Sequence, residues 1–76
     1  MEYGHDGMKE LTPRQKEVLD FIIKFKQDRE YSPTFQEVAE HFGITRKSVY
    51  DHIKVLVKKG HISYTEKISR SMRVIA

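Results

Sequence analysis

The sequence predicts a mostly α-helical fold in which three helices precede a small β-hairpin. Three segments repeat apolar residues at helical spacing, and each follows a threonine that is suited to cap a helix. Beyond Gly60 the pattern changes to an alternation of polar and apolar residues, which is typical of half-buried strands. A length of 76 residues supports one small domain with a modest core.

The first helix is predicted to begin after Thr12. Thr12 is a suitable N-cap, Pro13 fits the first helical position, and Gln15 completes a capping box. The inward-facing residues are predicted to be Val18, Leu19, Ile22 and Phe25, with Leu11 before the cap. Residues 1–8 have no apolar periodicity, so we expect a flexible N-terminal tail there and a domain at 9–76.

Two shorter helices joined by a tight turn are predicted in the middle of the chain. Thr34 and Glu37 form a second capping box, and Gly43 is the residue best able to take the left-handed conformation that ends a helix. Thr45 caps the next helix, which ends at Gly60. The apolar positions are Val38, Ala39 and Phe42, then Val49, Ile53, Leu56 and Val57. Such a helix-turn-helix leaves the outer face of its second helix free to enter a DNA groove.

The last part of the chain is predicted to form a hairpin. Residues 61–65 and 72–74 alternate polar and apolar side chains, whereas residues 66–71 between them are polar and basic. A lone hairpin is stable only when it packs against other elements, so we expect it to lie on the three helices. Three helices with such a hairpin make a winged helix-turn-helix.

The charge of the chain is unevenly distributed. Residues 1–44 hold 6 Lys and Arg against 9 Asp and Glu, a net charge of −3, whereas residues 45–76 hold 8 against 2, a net charge of +6. The basic part begins at the second helix of the motif, where a phosphate backbone would lie. The alternative is that this asymmetry serves solubility alone.

Composition argues against several other functions. Cysteine is absent, which excludes disulfides and thiolate metal sites, and the four histidines lack metal-binding spacing, so we expect no metal or other cofactor. No serine has a glycine elbow or a recognisable base, so we expect neither catalysis nor a small-molecule substrate. The given sequence shows neither a long apolar run nor a recognisable leader, so we expect no membrane association and a cytoplasmic location.

The second helix of the motif carries the candidate DNA-contacting side chains. Opposite its apolar face lie Arg46, Lys47, Tyr50, Asp51 and Lys54. Cations there can reach guanine edges or phosphates, Ser48 can bond either, and Asp51 can accept from cytosine. Thr45 marks a helix N-terminus suited to phosphate. The alternatives are a merely solvated face, a Tyr50 packed on phosphate or sugar, and an ordinary Asp51–Lys54 pair.

The predicted wing adds a second basic surface. Lys67 and Arg70 are candidate phosphate contacts there. The alternative is that they keep the hairpin soluble and block edge pairing.

Four segments together resemble one known family. LTPRQKEVLDFI, YSPTFQEVAEHFGIT, DHIKVLVKKGHI and SRSMRVI are similar, without gaps, to the N-terminal DNA-binding domain of LexA repressors, and the resemblance runs from Met8 to about Ile75. It implies sequence-specific binding of double-stranded operator DNA, as dimers on a palindrome, by a bacterial repressor of the SOS response to DNA damage.

The resemblance also implies roles for particular residues. It places a recognition helix at about 45–59 in the major groove, with a groove face formed by Thr45, Lys47, Ser48, Tyr50 and Asp51. It places a wing at about 65–71 on the backbone or minor groove, through positions around Lys67, Ser69 and Arg70.

Some features depart from the family pattern. Glu30 and Ser32 stand where relatives often carry glycine and proline, and the side chains at Lys47 and Tyr50 vary among relatives, so the operator sequence does not carry over. Full-length relatives have a self-cleaving serine-lysine domain for which this chain lacks the length, so we expect no enzyme activity. The rival interpretation is a winged helix that binds a protein partner without specific DNA binding.

Overall fold

The computed structural model describes residues 11–75, which form three α-helices and one two-stranded antiparallel sheet. The elements, in chain order, are α1 (Pro13–Arg29), α2 (Phe35–Phe42), α3 (Arg46–Lys58), β1 (Ile62–Ser63) and β2 (Arg73–Val74). This order confirms the predicted winged helix-turn-helix. The predicted tail at 1–8 lies outside the described residues, as do positions 9, 10 and 76.

Each helix begins at the threonine that the sequence indicates. The Thr12 hydroxyl accepts from the Gln15 N–H at 3.2 Å, and the Thr12 N–H donates to the Gln15 side chain at 3.0 Å. Thr34 and Glu37 make the same reciprocal pair. Thr45 caps α3 through the Ser48 N–H at 3.1 Å. These bonds satisfy N–H groups that have no partner within the helix.

The first two helices end in a left-handed residue. Gly43 closes α2 with a φ of 66°, as predicted, and its N–H donates to the Ala39 carbonyl. Glu30 closes α1 with the same φ of 66°, although it has a Cβ. The two sharp ends turn the chain back, so that α2 and α3 both lie against α1.

The core joins all three helices to the hairpin. Its members are Val18, Ile22, Val38, Ala39, Val49, Ile53, Leu56, Ile62 and Met72. The apolar positions predicted for the helices are therefore largely buried. Val57 differs, because its side chain is 37% exposed. It directly follows Leu56, the last fully buried residue of α3.

The hairpin is shorter than the sequence predicts. Ile62 pairs with Val74 and Ser63 with Arg73, so each strand has only two residues. Between the strands the chain is held by side chains, because the Ser71 hydroxyl accepts from the Thr65 N–H at 2.9 Å and donates to the Thr65 carbonyl at 3.0 Å. This segment forms the wing.

None of the helices described for residues 11–75 is long and apolar enough to cross a membrane.

Candidate nucleic-acid interface

The outward face of α3 is a row of exposed polar and charged side chains. Because Val49, Ile53 and Leu56 are fully buried on one side of this helix, the predicted groove residues are turned away from the core. Those residues are Arg46, Lys47, Tyr50, Asp51 and Lys54, all of them exposed. The structure thus brings the predicted α3 candidates together on one surface.

Asp51 pairs with Lys47 and not with Lys54, the partner in the alternative interpretation. Its carboxylate lies 3.9 Å from the Lys47 ammonium, one turn earlier, and the two side chains are 62% and 85% exposed. A pair so long and so exposed contributes little to stability, since water screens it and both side chains lose rotamer freedom. Both groups are therefore available to another charged or polar molecule.

The N-terminus of α3 carries two hydroxyl groups. The Thr45 hydroxyl donates to the Ser48 hydroxyl at 3.1 Å while it accepts from the Ser48 N–H. Thr45 is exposed and Ser48 is partly buried. The positive end of the helix dipole lies here, next to Arg46 and Lys47, so this end of α3 favours anions.

Three aromatic rings connect α3 to the wing. The ring of Phe35 lies 5.5 Å from that of Tyr64 and 6.2 Å from that of Tyr50, measured between centroids. The Lys54 ammonium lies 5.5 Å from the centroid of the Tyr50 ring. Sequence reasoning did not identify this cluster, because no local period links α2, α3 and the segment that follows β1.

The Tyr64 hydroxyl sits in an unusual electrostatic environment. Burial, the neighbouring Tyr50 hydroxyl and the Glu66 carboxylate together raise the pKa of Tyr64 to about 12. The hydroxyl donates to Glu66 at 3.4 Å. Tyr64 is therefore a neutral hydrogen-bond donor at physiological pH.

An open groove of about 620 Å³ separates the start of α2 and the face of α3 from the wing. Its walls include Arg46 and Tyr50 from α3, and Lys67 and Arg70 from the wing. Cationic side chains thus line both sides of the groove, whose lining also includes the aromatic residues Phe35, Tyr50 and Tyr64.

The wing residues divide into two kinds. Lys67 and Ser69 are exposed. The Arg70 guanidinium, by contrast, donates to both carboxylate oxygens of Glu37, at 3.0 and 3.1 Å. This hydrogen bonding is the main reason why the pKa of Glu37 lies below its ordinary value. Sequence reasoning missed the pair, which joins residues far apart in the chain.

Nothing in the described part of the chain resembles a metal centre. Within residues 11–75 no group of three or more His, Cys, Asp or Glu side chains is placed to hold an ion. The polar groups of the interface are hydroxyls, amines, guanidinium groups and the Asp51 carboxylate, which suit phosphates and base edges.

The helix-turn-helix, the basic outward face of α3 and the wing together define a winged-helix domain of the nucleic-acid-binding class. The model of the LexA DNA binding domain family matches residues 8–71. Since the match covers most of the chain, the chain belongs to this family, and the resemblance found in the sequence is confirmed.

Curated relatives agree with this assignment. The LexA repressor of Thermosipho africanus is 46% identical over 68 residues, and that of Leptospira interrogans is 41% identical over 68 residues; both alignments cover 90% of this chain. The LexA repressor of Myxococcus xanthus is 44% identical over 66 residues, or 86% of this chain. The chain spans only about a third of the length of these relatives, 34%, 34% and 30% respectively. The matched region is the DNA-binding domain, which is not catalytic.

Proposed function

We propose that this chain binds double-stranded DNA sequence-specifically, as the operator-binding part of a LexA-type repressor. The observation that carries the proposal is the outward face of α3, where exposed cations and hydrogen-bonding groups stand opposite a fully buried apolar face. Membership of the LexA DNA binding domain family supports the same function. The recognition helix, about 45–59, enters the major groove, and the wing, about 65–71, lies on the backbone or minor groove.

The proposed contacts fall into two groups. Arg46, Lys54 and Lys67 supply most of the affinity through phosphates, with Thr45 and Ser69 adding hydroxyl contacts. Lys47, Ser48, Tyr50 and Asp51 face base edges and supply the discrimination between sequences. The weak Lys47–Asp51 ion pair is consistent with this division. Because the pair contributes little to stability, base contacts can replace it with little loss.

The wider role follows from the relatives. The proteins to which this chain is similar carry the name LexA repressor. We therefore propose that the chain acts in SOS-type transcription control in the bacterial cytoplasm and nucleoid, and that two copies occupy a palindromic operator. Half-sites for two such domains are separated by about one helical turn of DNA or a multiple of it.

A titration of labelled duplex at several salt concentrations tests the function. We expect affinity to fall steeply with salt, because each phosphate contact contributes about −0.9 to the slope of log affinity against log salt concentration. The duplex is obtained by selecting bound sequences from a random pool. If the selection enriches no duplex, or if the salt slope is flat, the proposal is contradicted and a protein-interaction module is favoured.

Two substitutions test the division of roles. Lys47→Ala is expected to reduce the preference for the selected site by about 1–3 kcal/mol. Lys67→Ala is expected to weaken all duplexes about equally and to lower the salt slope by about 1. If both variants lose affinity with no change in preference, the proposed division between helix and wing is wrong.

A further inference from the structure

The wing is hydrogen-bonded through Arg70 to the turn between α1 and α2 and to the first turn of α2. The Arg70 Nη1 donates to the Ser32 carbonyl at 3.1 Å and to Glu37 Oε1 at 3.0 Å, and its Nη2 donates to Glu37 Oε2 at 3.1 Å. The guanidinium carbon also lies 4.5 Å from the centroid of the Tyr31 ring. We call these four residues, Tyr31, Ser32, Glu37 and Arg70, the Arg70 latch.

A second bond holds the same two segments together. Ser32 is buried, and its hydroxyl donates to the Met72 carbonyl. Met72 is itself a buried core residue. The chain is therefore attached to the α1–α2 turn both at Arg70 and two residues later.

The latch is more shielded than a typical surface ion pair. The Arg70 and Glu37 side chains are 38% and 32% exposed, compared with 85% and 62% for Lys47 and Asp51. The pair is also bidentate, which fixes the angle of the guanidinium as well as its distance. It therefore restrains the wing far more than a loose pair does.

The wing needs such a restraint. Two strands of two residues give a ladder too short to hold a loop by itself. Lys67 and Arg70 both adopt left-handed backbone conformations, with φ of 65° and 58°, which persist only where the surroundings fix them. The Arg70 guanidinium supplies such a restraint, because it joins the wing to the α1–α2 turn at Ser32 and to α2 at Glu37.

We propose that Arg70 is a positioning residue, held by Glu37, that fixes the wing so that Lys67 and Ser69 face the DNA. The proposal rests on the proposed DNA binding and refines it. It also changes the role of Arg70 from a phosphate contact to a positioning residue. The guanidinium already donates to three oxygens and faces an aromatic ring.

The first test uses Glu37→Gln, because the two interpretations predict opposite signs. Glutamine at the third helical position preserves the capping box with Thr34, so only the ion pair is lost. If Arg70 is a support, binding of the selected duplex weakens about three- to tenfold, since the wing loses its position. If Arg70 is a phosphate contact, removing an acidic neighbour tightens binding, and the proposal is overturned.

The second test uses Arg70→Lys, which keeps the charge but loses the planar fork. As a support, Arg70→Lys is expected to weaken binding nearly as much as Arg70→Ala. It is also expected to reduce the additional effect of Lys67→Ala, because the two residues then act through one contact. Near-normal binding by Arg70→Lys, or full additivity with Lys67→Ala, overturns the proposal.

A third measurement does not depend on DNA. Amide hydrogen exchange in residues 64–71 of the free protein is expected to accelerate in Glu37→Gln and Arg70→Lys, with the helices still protected. Arg73→Lys is the matched control, because it makes the same replacement on the same limb without a place in the latch. Unchanged exchange in the wing overturns the latch even if DNA binds, whereas wild-type protein that fails to bind any duplex contradicts the proposed function independently of these exchange data.

Discussion

Glu30 carries strain that a single substitution removes. It ends α1 at a φ of 66°, a conformation that brings Cβ close to the backbone and that glycine adopts without this penalty. We expect Glu30→Gly to raise the free energy of unfolding by about 0.5–1 kcal/mol, measured by urea denaturation. Glu30→Ala is the control, since it removes the carboxylate but keeps Cβ. Equal stability of the two variants would show that backbone strain is not the cause.

Tyr64 gives the stability of the domain a dependence on alkaline pH. Its pKa is about 12 in the folded protein, against an ordinary value of 10.0. The unfolded chain therefore releases this proton first, and the free energy of unfolding falls as pH rises from about 10 to about 12. Thermal unfolding across this range checks the expectation. Tyr64→Phe should show a shallower decline; an unchanged decline would assign the effect to other groups.

The helices were the part of the fold that could be read from the sequence. Their starts depend on contacts between neighbours three residues apart, as in Thr12 with Gln15 and Thr34 with Glu37, and such contacts are visible in a linear pattern. Their inner faces follow from a fixed helical period. Both kinds of signal are local. The structure therefore agrees with the predicted inner faces of the helices, except that Val57 is exposed.

The wing could be predicted only in outline. Its strands are shorter than the alternating pattern suggests, because the Thr65–Ser71 side-chain bonds take over where a longer ladder was expected. The attachment of Arg70 to Glu37 spans 33 positions and depends on how α2 packs beside the hairpin. No local sequence pattern predicts a contact between residues so far apart in the chain. The shared face of the candidate α3 residues could be predicted, because helical geometry alone sets it.

The turn between α2 and α3 sets the position of α3 relative to α2. Gly43 has a φ of 66°, and a Cβ added there would meet no atom within 4 Å, so its role is conformational rather than steric. We expect Gly43→Ala to lower the free energy of unfolding by about 1–2 kcal/mol. Gly43→Asn should lose less, because asparagine tolerates the left-handed region. Chemical denaturation of both variants checks this order, which would be reversed if side-chain size were the cause.

The charges of the chain are divided between its two halves. Residues 1–44, which include α1 and α2, have a net charge of −3, whereas residues 45–76, which include α3 and the wing, have a net charge of +6. Such a distribution orients the molecule toward a polyanion before contact. Within residues 11–75, Glu37 reaches across this division by binding Arg70.

Stability and DNA binding are linked in so small a domain. Ile53 is fully buried in the only core cluster found among residues 11–75, one position before the exposed Lys54. Ile53→Ala is expected to cost about 2–5 kcal/mol, comparable with the about 3–5 kcal/mol that a domain of this size has in total. Circular dichroism should therefore show loss of helix in Ile53→Ala but not in Lys54→Ala.

Duplex DNA then distinguishes the two kinds of loss. Because DNA binds the folded state, an excess of duplex should restore helix to Ile53→Ala by mass action, so its weak binding reflects a small folded fraction. Lys54→Ala should instead be fully folded and bind less tightly, with a lower salt slope. Weak binding by an Ile53→Ala variant that is already folded would show that the core of α3 also sets the geometry of the groove face, and that fold and recognition are not separable here.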